Sequence, residues 1–143
     1  MSKNILFTST ILLSSLFATE IYFGNIDQVS GTAEILYNTD QNISGFQFDF
    51  TGGSITSAYG GEANNSDFTI STSSNTVLGF SFAGTTLSPA SNELLVTVNF
   101  SAETGSELCF SNATMSDLVD GVSSTLTTTT GACFTYDVPT DCA

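Results

Sequence analysis

The stretch Ile43-Ser-Gly-Phe-Gln-Phe-Asp-Phe50 restricts this chain more than any other. Phe46, Phe48 and Phe50 alternate with Gln47 and Asp49. Successive side chains of an extended strand point to opposite faces, so the three rings share one face and the polar groups the other. The same period of two recurs along the sequence. Ala33, Ile35 and Tyr37 form one set; Leu78, Phe80 and Phe82 a second; Leu94, Val96, Val98 and Phe100 a third; Ala132, Phe134 and Tyr136 a fourth. The third and fourth sets are expected to face inward. No segment keeps a helical period over three turns. Turns or loops are expected at Gly24–Gln28, Asn38–Asn42, Gly52-Gly53, Gly60–Asn65, Ser73–Asn75 and Gly84–Asn92. Met115–Gly121 reads as a loop or one helical turn. Roughly nine short strands at 8–12-residue spacing predict an all-β fold, an antiparallel β-sandwich of jelly-roll or immunoglobulin-like type.

A chain of 143 residues suits one domain with an added arm, and 12 Phe within a 41% hydrophobic composition supply a core. The net charge of −13 does not signal disorder, because charged residues make up only 10% of the chain. The imbalance comes from missing cations: Lys3 is the only basic residue. Without Lys or Arg to displace counterions from phosphates, nucleic-acid binding is excluded, and an anionic membrane surface is disfavoured. His-based triads, His metal sites and Arg or Lys phosphate clamps are equally out of reach. A hydrolase would be left with carboxylates. Asp49 and Asp67 lie near aromatic strands, but there is no Trp to stack a sugar. No enzymatic activity, no cofactor and no resident metal are expected.

The first 23 residues admit two interpretations. As a secretory signal, Lys3 is a thin n-region, Ile5–Leu16 the apolar core and Leu16-Phe17-Ala18 the cleavage site. As a retained strand, Ile5, Phe7, Ile11, Leu13, Phe17, Ile21 and Phe23 line one face at period two. Five hydroxyls interleaved between positions 8 and 15 favour the strand. Such a ribbon needs a groove, either its own or a neighbour's. Insertion into a neighbour is β-strand addition, the donor-strand mode of pilin-type assembly. The expected division is a 1–23 arm, a 24–138 sandwich and a 139–143 tail. No other run is long and apolar enough to span a bilayer.

From Gly31 onward the order of features resembles a cohesin-type domain, the jelly-roll sandwich related to some carbohydrate-binding modules. Four segments carry the resemblance: Gly31–Tyr37, Ile43–Phe50 with its Gly-Phe-x-Phe run, Val77-Leu-Gly-Phe-Ser-Phe82 and Leu94–Phe100. The resemblance covers about 110 residues. The resemblance implies a sandwich that binds dockerins or serves as an adhesive scaffold. The cysteines and the long N-terminal segment depart from that pattern.

Cys109 and Cys133 are both out of phase with the inward residues Leu108, Phe110, Phe134 and Tyr136. A shared phase lets them meet on one face, with Cys109–Cys142 as the rival pairing. Together with low Lys and abundant Ser, Thr, Asn and Gly, the cysteines point to an extracellular setting, where disulfides persist. Four sequons, at Asn42, Asn64, Asn99 and Asn112, offer N-linked glycan sites. Asp117 and Asp120-Gly121 give a weak hint of calcium without EF-hand spacing, against a solvated acidic loop. The function expected is a non-enzymatic extracellular structural subunit, glycosylated, that polymerises with copies of itself through the arm. The alternative is a secreted cohesin-like or carbohydrate-binding adhesion module with a cleaved signal, whose partner includes extracellular polysaccharide.

Overall fold

The computed structural model describes residues 19–103, 105 and 107–137. They form two facing sheets. In chain order the elements are β1 (Thr19–Asp27), β2 (Thr32–Thr39), β3 (Ile43–Thr51), β4 (Gly53–Tyr59), α1 (Gly61–Asn65), β5 (Thr69–Thr72), β6 (Thr76–Phe80), β7 (Ala90–Ala102), β8 (Glu107–Val119), β9 (Val122–Leu126), β10 (Thr128–Thr130) and β11 (Phe134–Thr135). The first sheet runs β10-β1-β2-β7-β4; the second runs β11-β8-β3-β6-β5, with β9 also pairing β8. Neighbours are antiparallel except β1 and β10, which are parallel. This is the antiparallel sandwich expected from the period-two runs.

The core lies between the sheets. Ile21, Ala33, Ile35, Tyr37, Val96, Val98 and Phe100 come from one inner face; Phe46, Phe48, Phe50, Val77, Leu108 and Met115 come from the other. The rings of Phe23, Phe48, Phe50 and Phe110 form one aromatic cluster with centroids 4.4–5.6 Å apart. Tyr136, buried near the end of the chain, donates its hydroxyl to Gly52 O at 2.8 Å and so ties the C-terminal strand back to the β3–β4 turn.

Several expectations need correcting. Ile21 and Phe23 belong to β1 of the chain's own sandwich, so the domain starts by Thr19 and not at residue 24. Gly24–Gln28 is not a turn: β1 continues to Asp27 through a bulge at Gly24-Asn25, where two residues face Glu34 alone. In β7 the extra residue is Leu95, a bulge between the Val96 and Leu94 pairs with β2. The bulge shifts the phase, so Leu95 is buried and Leu94 only half-buried. Gly60–Asn65 contains α1, whose Ala63 is fully buried. Met115–Val119 belongs to β8, held by β3 on one side and β9 on the other. Ala132 is exposed.

In β6 the face shared by Leu78, Phe80 and Phe82 is the outer one, and Val77 and Gly79 face inward. The reason is space: a Cβ on Gly79 would sit inside the ring of Phe46. The β3 rings already fill that volume, so only glycine fits opposite them.

Candidate interaction surface

The inverted phase of β6 places apolar side chains on the outer face of the second sheet. The strand register aligns them in rows. Thr69, Phe80, Gly45 and Ser116 form one row; Ser71, Leu78, Gln47 and Thr114 form the next; Thr76, Asp49 and Asn112 form a third. Leu78 is 37% exposed and Phe82, just beyond β6, 84% exposed. The Phe80 and Phe82 rings pack edge to face with centroids 4.9 Å apart. Gly45 carries no side chain beside Phe80, which leaves a shallow groove of about 260 Å³ between Gln47, Leu78, Phe80, Thr114 and Ser116. Asp49 is the only charged group in these rows, and its Oδ1 accepts the Thr76 hydroxyl at 2.8 Å. Hydroxyl and amide groups fill most of these rows, so the apolar character of the face comes from Leu78, Phe80 and Phe82.

A second concave feature lies at the edge of the first sheet. β10 pairs with β1 only along Thr19–Ile21. Gly131 N then donates to Ile21 O at 2.9 Å, and the chain crosses to the other sheet, where Phe134 pairs with Leu108. The departure leaves the edge of β1 beyond Ile21 beside a groove of about 480 Å³, lined by Tyr22, Phe23, Ile26, Ala132 and Phe134 among others. Of the expected assembly residues, Ile21 is buried in the core and Phe23 stacks on Phe110 at 4.4 Å. Ile5, Phe7, Ile11, Leu13 and Phe17 lie outside the described residues.

The expected disulfide is formed between Cys109 and Cys133. The β8–β11 register, Leu108 opposite Phe134, sets Cys109 opposite Cys133 with Cα atoms 4.4 Å apart. That is the spacing of a non-hydrogen-bonded antiparallel pair, in which side chains approach most closely. Cys142 lies outside the described residues. Glu107 shares a neighbourhood with the two sulfurs, but both sulfurs are committed to each other.

The four sequons fall in different settings. Asn42 is exposed in the β2–β3 turn, Asn64 exposed on α1 and Asn112 exposed at the end of the third row. Asn99 is half-buried, and its Nδ2 donates to Ser57 Oγ at 2.9 Å. The acidic candidates do not converge. Asp117 is buried and its Oδ1 accepts from both the backbone N–H and the hydroxyl of Ser124. Asp120 and Gly121 form the β8–β9 turn with positive φ, while Asp67 stands in the α1–β5 connection. The sequence grouped Leu78, Phe80 and Phe82 on one face, but alternation alone does not say whether that face is inner or outer. The signal that would have found it is Gly79 opposite a run of rings.

With this geometry in place, the comparison with solved structures is decisive for the fold. The chain is similar to the non-cellulosomal cohesin from the hyperthermophilic archaeon Archaeoglobus fulgidus, with a TM-score of 0.55 at 15% identity over 83% of this chain and 91% of that one. The fold is a cohesin-like β-sandwich. At this identity the likeness is one of fold. No protein-family model and no curated protein sequence matches the chain. Among the four segments that carried the sequence resemblance, Gly31–Tyr37 and Leu94–Phe100 supply β2 and β7, paired in one sheet of the cohesin-like sandwich. Ile43–Phe50 and Val77–Phe82 supply β3 and β6, paired in the other. Among the described residues, no helix is long and apolar enough to cross a membrane.

Proposed function

We propose that this cohesin-like domain is a non-enzymatic adhesion and structural module of the extracellular surface, which docks a protein partner on the outer face of the β8-β3-β6-β5 sheet. The observation that carries this is the pair Phe80 and Phe82 standing outward beside Leu78 on an almost uncharged face. Aromatic side chains at the centre of a docking patch supply most of the binding energy. The Cys109–Cys133 bond suits an oxidising compartment, and a chain without His or Arg offers little catalytic chemistry. Replacing Phe80 and Phe82 by Thr should lower the affinity for the surface of the producing cells at least ~30-fold, the effect of losing two aromatic anchors. Near-UV circular dichroism should stay native, because both rings lie outside the core. Equal retention of variant and wild type in a labelled-domain binding assay would remove the docking face from consideration.

The open edge of β1 favours a second mode, polymerisation by strand addition. An entering strand would continue the ladder that β10 leaves and cover Phe23, Ile26 and Phe134. Residues 1–18 of another molecule would supply such a strand, entering where β10 leaves the edge beyond Ile21. Ile5, Phe7, Ile11, Leu13 and Phe17 would then fill the neighbour's groove and generate an open homopolymer. The intact mass of native material separates the two modes. Polymerisation requires a chain beginning at Met1 and found in fibres; a soluble chain beginning near Thr19 leaves the docking module alone. The same spectrum counts glycans, expected at the exposed Asn42, Asn64 and Asn112 rather than at Asn99.

A further inference from the structure

We propose that the cleft between α1 and the start of β7 is a binding site for a primary ammonium group, the end of a lysine side chain on a partner protein. The cleft holds about 360 Å³ and is lined by Tyr37, Glu62, Ser88, Pro89, Ala90, Ser91 and Glu93. Tyr37 comes from β2 and is 1% exposed, yet its hydroxyl has no hydrogen-bond partner among the described residues. No fully enclosed side-chain oxygen there lacks a partner, so the Tyr37 oxygen opens into the cleft. A buried phenol normally finds a partner within the protein. Here the partner position is the cleft itself.

Two carboxylates share that space. Burial first, then the charges of Glu62 and Glu93, push the Tyr37 hydroxyl up to about 12, so both glutamates act on the same oxygen that faces the cleft. Glu62 is steadied by Asn65, whose Nδ2 donates to its Oε2 at 3.2 Å. Three acceptors therefore come from three elements, β2, α1 and β7. An ammonium carries three N–H donors directed apart, whereas a guanidinium presents a flat fork that matches a single carboxylate. The dispersed set suits the ammonium. Pro89 and Ala90 supply an apolar wall along which a methylene stem can lie. The volume is that of a small organic group rather than a bare ion. No described residue is Lys, Arg or His, so no described side chain supplies the cation. The site stands apart from the outer sheet face, and its test does not depend on that face.

The test uses n-butylammonium chloride as the probe, titrated into the isotope-labelled full chain at constant ionic strength while the Tyr37 ring resonances are followed. A saturable shift at Tyr37 is expected, and tetramethylammonium, which has no N–H, should not reproduce it. Glu62→Gln with Glu93→Gln should weaken binding roughly 3- to 30-fold, the range for two solvent-accessible charge pairs. Both positions are at the surface, so the variant should keep its fold. Tyr37→Phe should also weaken binding while preserving the packing of the ring. The proposal is overturned by an unsaturable response, by equal binding of tetramethylammonium, by an unchanged affinity in the double variant, or by calcium chloride saturating the cleft and excluding butylammonium.

Discussion

Phe48→Ala lowers the unfolding free energy by about 3–5 kcal/mol, the usual cost of removing a ring from a closed core. Phe48 is fully buried on β3 and meets Phe46, Phe50 and Phe110, with centroids 6.2, 5.5 and 5.6 Å away. Its neighbours sit on two paired strands, β3 and β8, so the sheet cannot close over the hole without shifting both. Dense packing makes such a shift costly. Aromatic pairs add about 0.5–1.5 kcal/mol beyond their buried area, and Phe48 loses several at once. A domain of this size holds only about 5–15 kcal/mol of net stability, so the variant should be soluble only at reduced temperature. Urea unfolding followed by circular dichroism reads the loss. A cost below about 1 kcal/mol would mean that the ring does not sit where the sheets meet.

Replacing Cys109 and Cys133 together by Ser should cost about 3 kcal/mol. The bond joins residues separated by 24 positions, and in the chain-entropy account a loop of that length stabilises by about 3–3.5 kcal/mol. The midpoint of thermal unfolding should fall by roughly 6–12 °C. Reductant should bring the wild type down to the same midpoint and leave the double variant unmoved, which separates the bond from any packing effect of the substitutions. The rival pairing of Cys109 with Cys142 predicts a different outcome. In that case Cys133→Ser alone would be silent, whereas the bond between β8 and β11 requires it to cost as much as the double change.

Much of the sandwich was legible because period-two alternation is a local property. Phe46, Phe48 and Phe50, or Val96, Val98 and Phe100, declare their face without reference to anything else. The disulfide was legible for the same reason, since phase alone set Cys109 and Cys133 on a common face. What could not be read depends on partners distant in sequence. Leu78, Phe80 and Phe82 look like a core set until the Phe46 ring is known to occupy the space beside Gly79. The Leu95 bulge is defined by how β7 pairs with β2, which no window of β7 reveals. Met115–Val119 has weak strand character on its own and is extended because β3 and β9 flank it. The cleft at Tyr37 was invisible for a further reason. Tyr37 shares its face with Ala33 and Ile35, but Glu62 and Glu93 reach it only after α1 folds against the β7 bulge, where Gly61 lies close over the backbone of Leu94 and Leu95.

The parallel pairing of β1 with β10 has a mechanical consequence. The N-terminal end of β1 and the C-terminal end of β10 lie at opposite ends of that short ladder, Thr19 beside Thr128 and Ile21 beside Thr130. Tension applied between Thr19 and Gly131 therefore slides the two strands lengthwise, and their hydrogen bonds must yield together rather than one after another. A pull arriving from beyond Cys133 meets the bond to Cys109 first, so β8 takes the load and this seam is spared.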